Sequence, residues 1–247
     1  MQFNQFDSIP PNLSKSYTQM VILDTETTGL NPKTDRITEL AAIKFDKSGI
    51  KSVMDEYISL PNDICYPQNI QEMTGITHEI LEKEGLPEEE VAWMFAMMLK
   101  GPGRVLLVTH NAQFDLCFIQ EMLHRHNYVF PNGWGVIDTL TVFRDRKPHP
   151  HRLSDAISYY DLDGVKNSHR AIDDVVALCA VFDAMCQEQN DLDEYINLIG
   201  VYVKYELIGC EIPGLHYWGQ EINGNPDGKL PNKVKKYTQD AYKKNRF

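Results

Sequence analysis

The sequence has no apolar run that could cross a bilayer: its longest, Val91 to Leu99, falls far short of the ~20 residues a span requires. Cysteine is scarce and unpatterned. The five residues Cys65, Cys117, Cys179, Cys186 and Cys210 are scattered, odd in number and contain no C-x-x-C pair, which excludes a disulfide framework and a thiolate zinc site. Cys117 and Cys179 fall within helical apolar patterns, so buried, reduced thiols are expected. Repeats and low-complexity tracts are absent, which excludes a solenoid. The opening MQFNQFDSIPPNLSKS has neither the basic nor the apolar region of a secretory signal. Together these absences give the expectation of a cytoplasmic protein with no membrane partner.

A net positive charge is missing too: 24 Lys and Arg stand against 35 Asp and Glu, for a net charge of −11. Duplex-binding surfaces carry a basic footprint, so this acidity weighs against a polyanionic partner. It weighs less if some carboxylates serve bound cations. The charge is also uneven, because residues 225–247 hold an excess of Lys and Arg.

What is present reads as α/β. Residues 1–18 form an irregular lead-in, interrupted by Pro10-Pro11. The β-branched run Gln19 to Leu23 predicts a buried strand ending at Asp24. Two further strands follow, Arg36 to Phe45 and Ser52 to Leu60, turning through DKSG, and such short links imply an antiparallel meander. Helix signals cover Thr77 to Glu84 and Pro87 to Lys100, the latter opened by Pro87 and three Glu. Val105 to Val108 is a second buried strand, leading into Asn111 and a helix from about Gln113 to His126. A short strand, Gly135 to Ile137, precedes helical patterns near 138–145 and 152–160. Ser168 to Gln187 is the strongest helix, with Ser168 as its N-cap, and Leu192 to Leu207 predicts one more. The expected architecture is one mixed five-stranded sheet flanked by helices, with ligands gathered at strand ends. The expected divisions are the lead-in, a main domain over 19–190, and a C-terminal helix and basic tail over 191–247.

Three segments could carry chemistry. In VILDTETTG, Asp24 and Glu26 are two apart on a strand and project to one face. Two carboxylates at a buried strand end repel, and a hard divalent cation such as Mg²⁺ or Mn²⁺ relieves this. In VLLVTHNAQFD, Asp115 falls in the first turn of a helix, where it also complements the dipole. In SHRAIDDVV, His169 sits at or just before a helix start and can accept a proton from water near neutral pH. Asp173 and Asp174 both remain candidates there; the core-bordering stripe of Ala171, Leu178, Val181 and Met185 favours Asp174 only weakly. Carboxylates converging from three segments can hold two cations about 3.5–4 Å apart, one activating water and one steadying the leaving oxygen of a phosphodiester. His124, His126, His149 and His151 read as structural or solvated. The aromatic segment 191–223, including Tyr195, Tyr202, Tyr205, Tyr217 and Trp218, reads as packing rather than as a base-stacking surface.

VILDTETTGL, THNAQFD and HRAIDDVVAL resemble the three motifs of the DEDDh exonuclease superfamily, which includes the proofreading subunit of bacterial DNA polymerase III. The likeness spans roughly residues 19–188. It implies a ribonuclease H-like fold and 3′-to-5′ hydrolysis of DNA ends, releasing nucleoside 5′-monophosphates with two Mg²⁺ or Mn²⁺ ions. A 3′ exoribonuclease of the RNase T or oligoribonuclease type is the first alternative, and a non-catalytic module that binds nucleic-acid ends is the second. Residue by residue, Asp24, Glu26, Asp115 and Asp174 match the metal ligands, and His169 matches the general base. Thr25, Thr27, Thr74, Asn111 and Phe114 match positions at the substrate. Thr74 stands where proofreading subunits often carry His, and Thr109 replaces a more usual small residue with little expected effect. The implied partners are a single-stranded or frayed 3′ end of DNA, with RNA as the other candidate, and a DNA polymerase subunit.

Overall fold

A computed structural model describes residues 8–162, 164, 165, 168–202 and 211–220. Its centre is a five-stranded sheet in the order β3-β2-β1-β4-β5. The strands are β1 (Gln19–Thr27), β2 (Ile37–Asp46), β3 (Gly49–Tyr57), β4 (Val105–Thr109) and β5 (Gly135–Asp138). β1 to β3 form the antiparallel meander, and β4 joins β1 in parallel, as β5 joins β4. The connection from β3 to β4 carries α1 (Gln68–Thr74), α2 (His78–Glu84) and α3 (Glu88–Met98). After β4 come α4 (Ala112–Arg125), then β5, α5 (Thr139–Arg146), α6 (Leu153–Tyr159) and α7 (Ala171–Glu188).

Both faces of the sheet are covered, which is why β1, β2 and β4 read as continuous apolar runs rather than alternating ones. Met20 and Ile22 of β1, with Ile43 and Leu106, pack against Val175, Leu178 and Phe182 of α7. Val21 and Leu23, with Leu40 and Leu107, pack against Phe95 of α3 and Leu116 and Ile119 of α4. The period of two therefore sends Asp24 and Glu26 toward the α7 side and Thr25 toward the α4 side. This alternation builds the site.

The sequence expectations and the structure differ at two of the helices. First, the described part of the helix expected over Leu192 to Leu207, residues 192–202, is not an α-helix. A short 3₁₀ turn spans Leu192–Tyr195, and β6 (Leu198–Tyr202) then pairs in parallel with β7 (His216–Gln220). The Gly200 N–H donates to Thr141 Oγ1 at 2.6 Å, and a Cβ there would collide with the Gln220 side chain. A glycine in this close approach, flanked by β-branched residues, favours the strand over the helix. Residues 203–207, Tyr205 and Cys210 among 203–210, and the basic tail at 221–247 lie outside the described residues. Second, Ser168 does not cap α7. Arg170 holds the N-cap position, and the helix begins at Ala171 because His169, at φ 57°, leaves the helical region. The described part of the lead-in forms turns with no helix or strand, and it is folded against the core: Ile9, Leu13 and Tyr17 are buried. Residues 1–7 lie outside the described residues.

Tyr195, Tyr217 and Trp218 are buried and serve packing. His126 binds Glu88 at 2.9 Å, as a structural histidine would. Among the described residues, no helix is long and apolar enough to cross a membrane.

Candidate active site

β1 delivers Asp24 and Glu26, α4 delivers Asp115 in its first turn, and α7 delivers Asp174 in its first turn. Asp115 and Asp174 are buried, whereas Asp24 and Glu26 keep part of their surface open. His169 is exposed, and its imidazole joins the carboxylates of Glu26 and Asp174 in a group whose possible ligand atoms lie within 4.8 Å of one another. Asp173, the competing residue, instead accepts a hydrogen bond from Ser168 Oγ at 2.5 Å and is not a member of this group. The Ser168 N–H donates to Asp174 Oδ1 at 3.3 Å.

A cleft of about 780 Å³ opens beside this group, lined by residues that include Asp24, Asn111, His169 and Asp174 together with Arg144, His149 and Arg152.

The first turn of α4 is set by a residue outside the three motifs. Asp138, at the end of β5, is buried, and its Oδ1 accepts from the N–H groups of Asn111, Ala112 and Leu140. One carboxylate thus satisfies orphan donors at the starts of both α4 and α5. Asn111, in the left-handed region at φ 78°, makes the sharp exit from β4 that brings Asp115 back over the strand ends.

Asp115 is gripped from both sides. Thr25 Oγ1 donates to its Oδ1 at 2.7 Å, and Thr109 Oγ1 donates to its Oδ2 at 2.8 Å. Thr109, given little weight from sequence, therefore fixes this carboxylate. Thr25 points into the same buried contact. Of the other residues matched to substrate positions, Thr27 donates to the Gly29 carbonyl, and Thr74 is buried, donating to the Ile70 carbonyl. Asn111 is exposed at the cleft. Phe114 packs against Phe118 with the two rings tilted, their centroids 4.9 Å apart.

Burial and mutual repulsion raise the pKa values of these acids. Burial raises Asp24 well above the carboxylate range, and Asp115, Asp174, Glu26 and Glu39 add to the shift. Glu26 is pushed up to about 8, first by burial and then by Asp174 and Glu39, against a smaller opposing pull from Arg170. Asp115 rises to about 7 through burial, held back by the Thr25 and Thr109 hydroxyls. Burial lifts Asp174 to about 6, opposed by His169 and the Ser168 N–H. This is a site short of positive charge, with hard oxygen donors. Mg²⁺ and Mn²⁺ fit such a donor set, and softer thiolate-seeking metals do not.

The deficit has a measurable consequence. A carboxyl with a higher pKa folded than unfolded binds more protons in the folded state, so stability falls as pH rises through that interval. Here the interval runs from the ordinary value of about 4 to the raised values, about 6 for Asp174 and about 8 for Glu26. In EDTA the melting temperature is expected to fall between about pH 5 and about pH 8, and Mn²⁺ is expected to raise it more at the higher pH. A metal-free midpoint that stays flat or climbs over that range would contradict this electrostatic reading.

Mixed sheet, two-sided helical cover and strand-end carboxylates define a ribonuclease H-like fold carrying an acidic, cation-seeking site. The chain belongs to the exonuclease family, whose sequence model matches residues 21–182. It is 30% identical over 187 residues to the exonuclease DPD1 of Arabidopsis thaliana chloroplasts and mitochondria, an alignment covering 70% of this chain and 58% of that protein. It is 34% identical over 175 residues to a PolC-type DNA polymerase III of Staphylococcus epidermidis, covering 70% of this chain and 12% of the polymerase. The fold is similar to E. coli exonuclease I in complex with a dA16 oligonucleotide, with TM-score 0.63, 22% identity, and coverage of 72% of this chain and 42% of that one. The chain thus spans little more than half of the plant protein and a small part of the polymerase. Enzymes of this family depend on divalent metal ions.

Sequence reasoning did not find Asp138, Glu39 or Arg170 as parts of the site. One signal was available. Glu39 is a lone acid inside the apolar strand ITELAAIKF, and a buried charge in such a run requires a partner.

Proposed function

We propose that the chain is a 3′-to-5′ exonuclease that hydrolyses phosphodiester bonds at 3′ ends of DNA and releases nucleoside 5′-monophosphates. The observation that carries this reading is the meeting of Glu26, Asp174 and the exposed His169, with Asp24 and Asp115 beside them, at an open cleft. Asp24, Glu26, Asp115 and Asp174 would hold two Mg²⁺ or Mn²⁺ ions. When bound, the ions supply Lewis-acid activation of water and neutralise charge developing on the phosphoryl and leaving oxygens.

The residues of the chain do the rest. Thr25 and Thr109 fix the orientation of Asp115, an outer contact of the kind that governs metal affinity. His169 accepts the proton from the attacking water, and its exposure lets that proton pass on to solvent. The cleft that His169 and Arg152 line would take the strand leading to the scissile bond, with Arg144 and Arg152 offsetting phosphate charge. The exonuclease I complex with an oligonucleotide favours a single-stranded DNA end as substrate.

Two further readings accompany this one. Association with a DNA polymerase is supported by the likeness to part of a PolC-type enzyme. A reducing, cytoplasmic setting is supported by the free cysteines Cys65, Cys117, Cys179 and Cys186.

Parallel digestion of matched 5′-labelled oligonucleotides, as single-stranded DNA, duplex DNA, 3′-mismatched DNA and single-stranded RNA, tests the substrate. Fastest loss is expected with single-stranded and mismatched DNA. Preferential digestion of RNA would replace the DNA reading with an exoribonuclease.

A further inference from the structure

Glu39 is a fifth carboxylate beside the four acids and differs from them in one respect: it has a full set of partners. It lies opposite Glu26 in the β1–β2 ladder, and its side chain is 0% exposed. Arg170 Nε and Nη2 donate to its Oε1 at 3.1 and 2.9 Å, Nε also reaches Oε2 at 3.3 Å, and the Ala171 N–H donates to Oε2 at 2.9 Å. The guanidinium also lies over the Tyr57 ring, 4.9 Å from its centroid. A carboxylate so fully used is not available as a cation ligand. Arg170 cancels a charge that would otherwise add to the crowding around Asp24 and Glu26.

Arg170 is also the covalent neighbour of His169, and its carbonyl accepts the Asp174 N–H at 3.0 Å. His169 itself adopts a left-handed conformation (φ 57°) that a non-glycine residue holds only when its surroundings impose it. On its other side, Ser168 is fixed to Asp173 and Asp174. The anchors on either side leave the His169 backbone few alternatives, and the stronger of them refers α7 to the same strand ladder that carries Glu26.

We propose that the Arg170–Glu39 pair is a positioning device that fixes His169 and Asp174 against Glu26, and that it acts on turnover rather than on binding of substrate or metal. This rests on the exonuclease reading. A displacement of about 1 Å of a reacting group can lower turnover about a hundredfold. The side chains of Arg170 and Glu39 are not catalytic residues, since neither reaches the reacting atoms.

The test compares wild type with Arg170→Met, Arg170→Lys, Glu39→Gln and the Arg170→Met/Glu39→Gln double variant, using a 5′-labelled single-stranded DNA oligonucleotide and Mn²⁺. Arg170→Met is expected to lower kcat about 10–100-fold, with KM and half-saturating Mn²⁺ within about threefold of wild type. Arg170→Lys restores part of the rate because it keeps the charge without the bidentate fork. The double variant is expected to be no slower than Arg170→Met, as for two residues acting as one unit. A second readout needs no turnover: the His169 Cε1–H NMR resonance, assigned with His169→Asn, is expected to shift or broaden in Arg170→Met while that of His124 stays in place. Unchanged kcat together with an unmoved His169 resonance overturns the proposal. So does a loss of kcat no greater than the loss of folded protein, or a shift confined to KM or Mn²⁺ half-saturation. An inert wild type would instead refute the exonuclease reading, and the NMR comparison would still decide the positioning claim.

Discussion

Replacing Asp24 by Asn is expected to abolish metal-dependent release of mononucleotides and, at the same time, to raise the melting temperature of the metal-free protein. The two effects have one cause. Asp24 sits among Asp115, Asp174, Glu26 and Glu39, and burial and repulsion push it toward its neutral form. As a carboxylate it would hold cations; without them it is a source of instability. An amide of the same shape removes the charge, gives neighbouring acids a donor and leaves the β1 ladder intact. Turnover should fall by about a thousandfold or more, because groups that act as a unit fail together. Each kcal/mol of relieved repulsion should raise the midpoint by about 2–4 °C in a domain of this size. Digestion assays and thermal melts in EDTA, run on the same preparation, measure both. Turnover close to that of wild type would remove Asp24 from the site, and a lowered metal-free midpoint would show that burial, not repulsion, governs it. Such opposition between stability and activity is common where a site stores like charges.

The second large effect is expected at His169. Asn is the informative replacement, since its short polar side chain tolerates the left-handed backbone found at φ 57°. Backbone geometry is then kept, and only the proton acceptor is lost. Turnover is expected to fall about 10²–10⁴-fold, the range for removal of a general base, with Mn²⁺ binding by calorimetry preserved. A raised KM with unchanged kcat would assign His169 to substrate binding instead. Because His169 lies close to both Glu26 and Asp174, a large loss of Mn²⁺ affinity would mark it as a metal ligand.

How far the site was legible in the sequence depends on the range of the interactions involved. Asp24 and Glu26 were visible because strand periodicity is local, and the apolar run before them has no other reading. Asp115 was visible as a helix-start acid, and the three motifs together pointed to Asp174. The grip on Asp115 was not visible, because Thr25 and Thr109 come from two strands and meet it only through the β1–β4 pairing and the turn at Asn111. Asp138 likewise looked like the end of a short strand, yet it organises two helix starts at once. The helix expected over 192–207 failed for a different reason. Apolar spacing there fits either period, and the contact of Gly200 with Thr141 and Gln220 decides for a strand. The same limit hid Ser168: capping preference favoured it, and the backbone of His169 moved the helix start to Ala171.

The residues that escaped sequence reading orient groups, and those that were legible are the ones proposed to carry the chemistry, so the central claim is open to one direct measurement. A 5′-labelled single-stranded DNA oligonucleotide is incubated with the protein in Mg²⁺ or Mn²⁺, and in parallel with EDTA, and the products are resolved at single-nucleotide spacing. The account predicts stepwise shortening from the 3′ end, nucleoside 5′-monophosphate as the released product, and no reaction in EDTA. Internal cuts, shortening from the 5′ end, or equal cleavage with and without metal would contradict it.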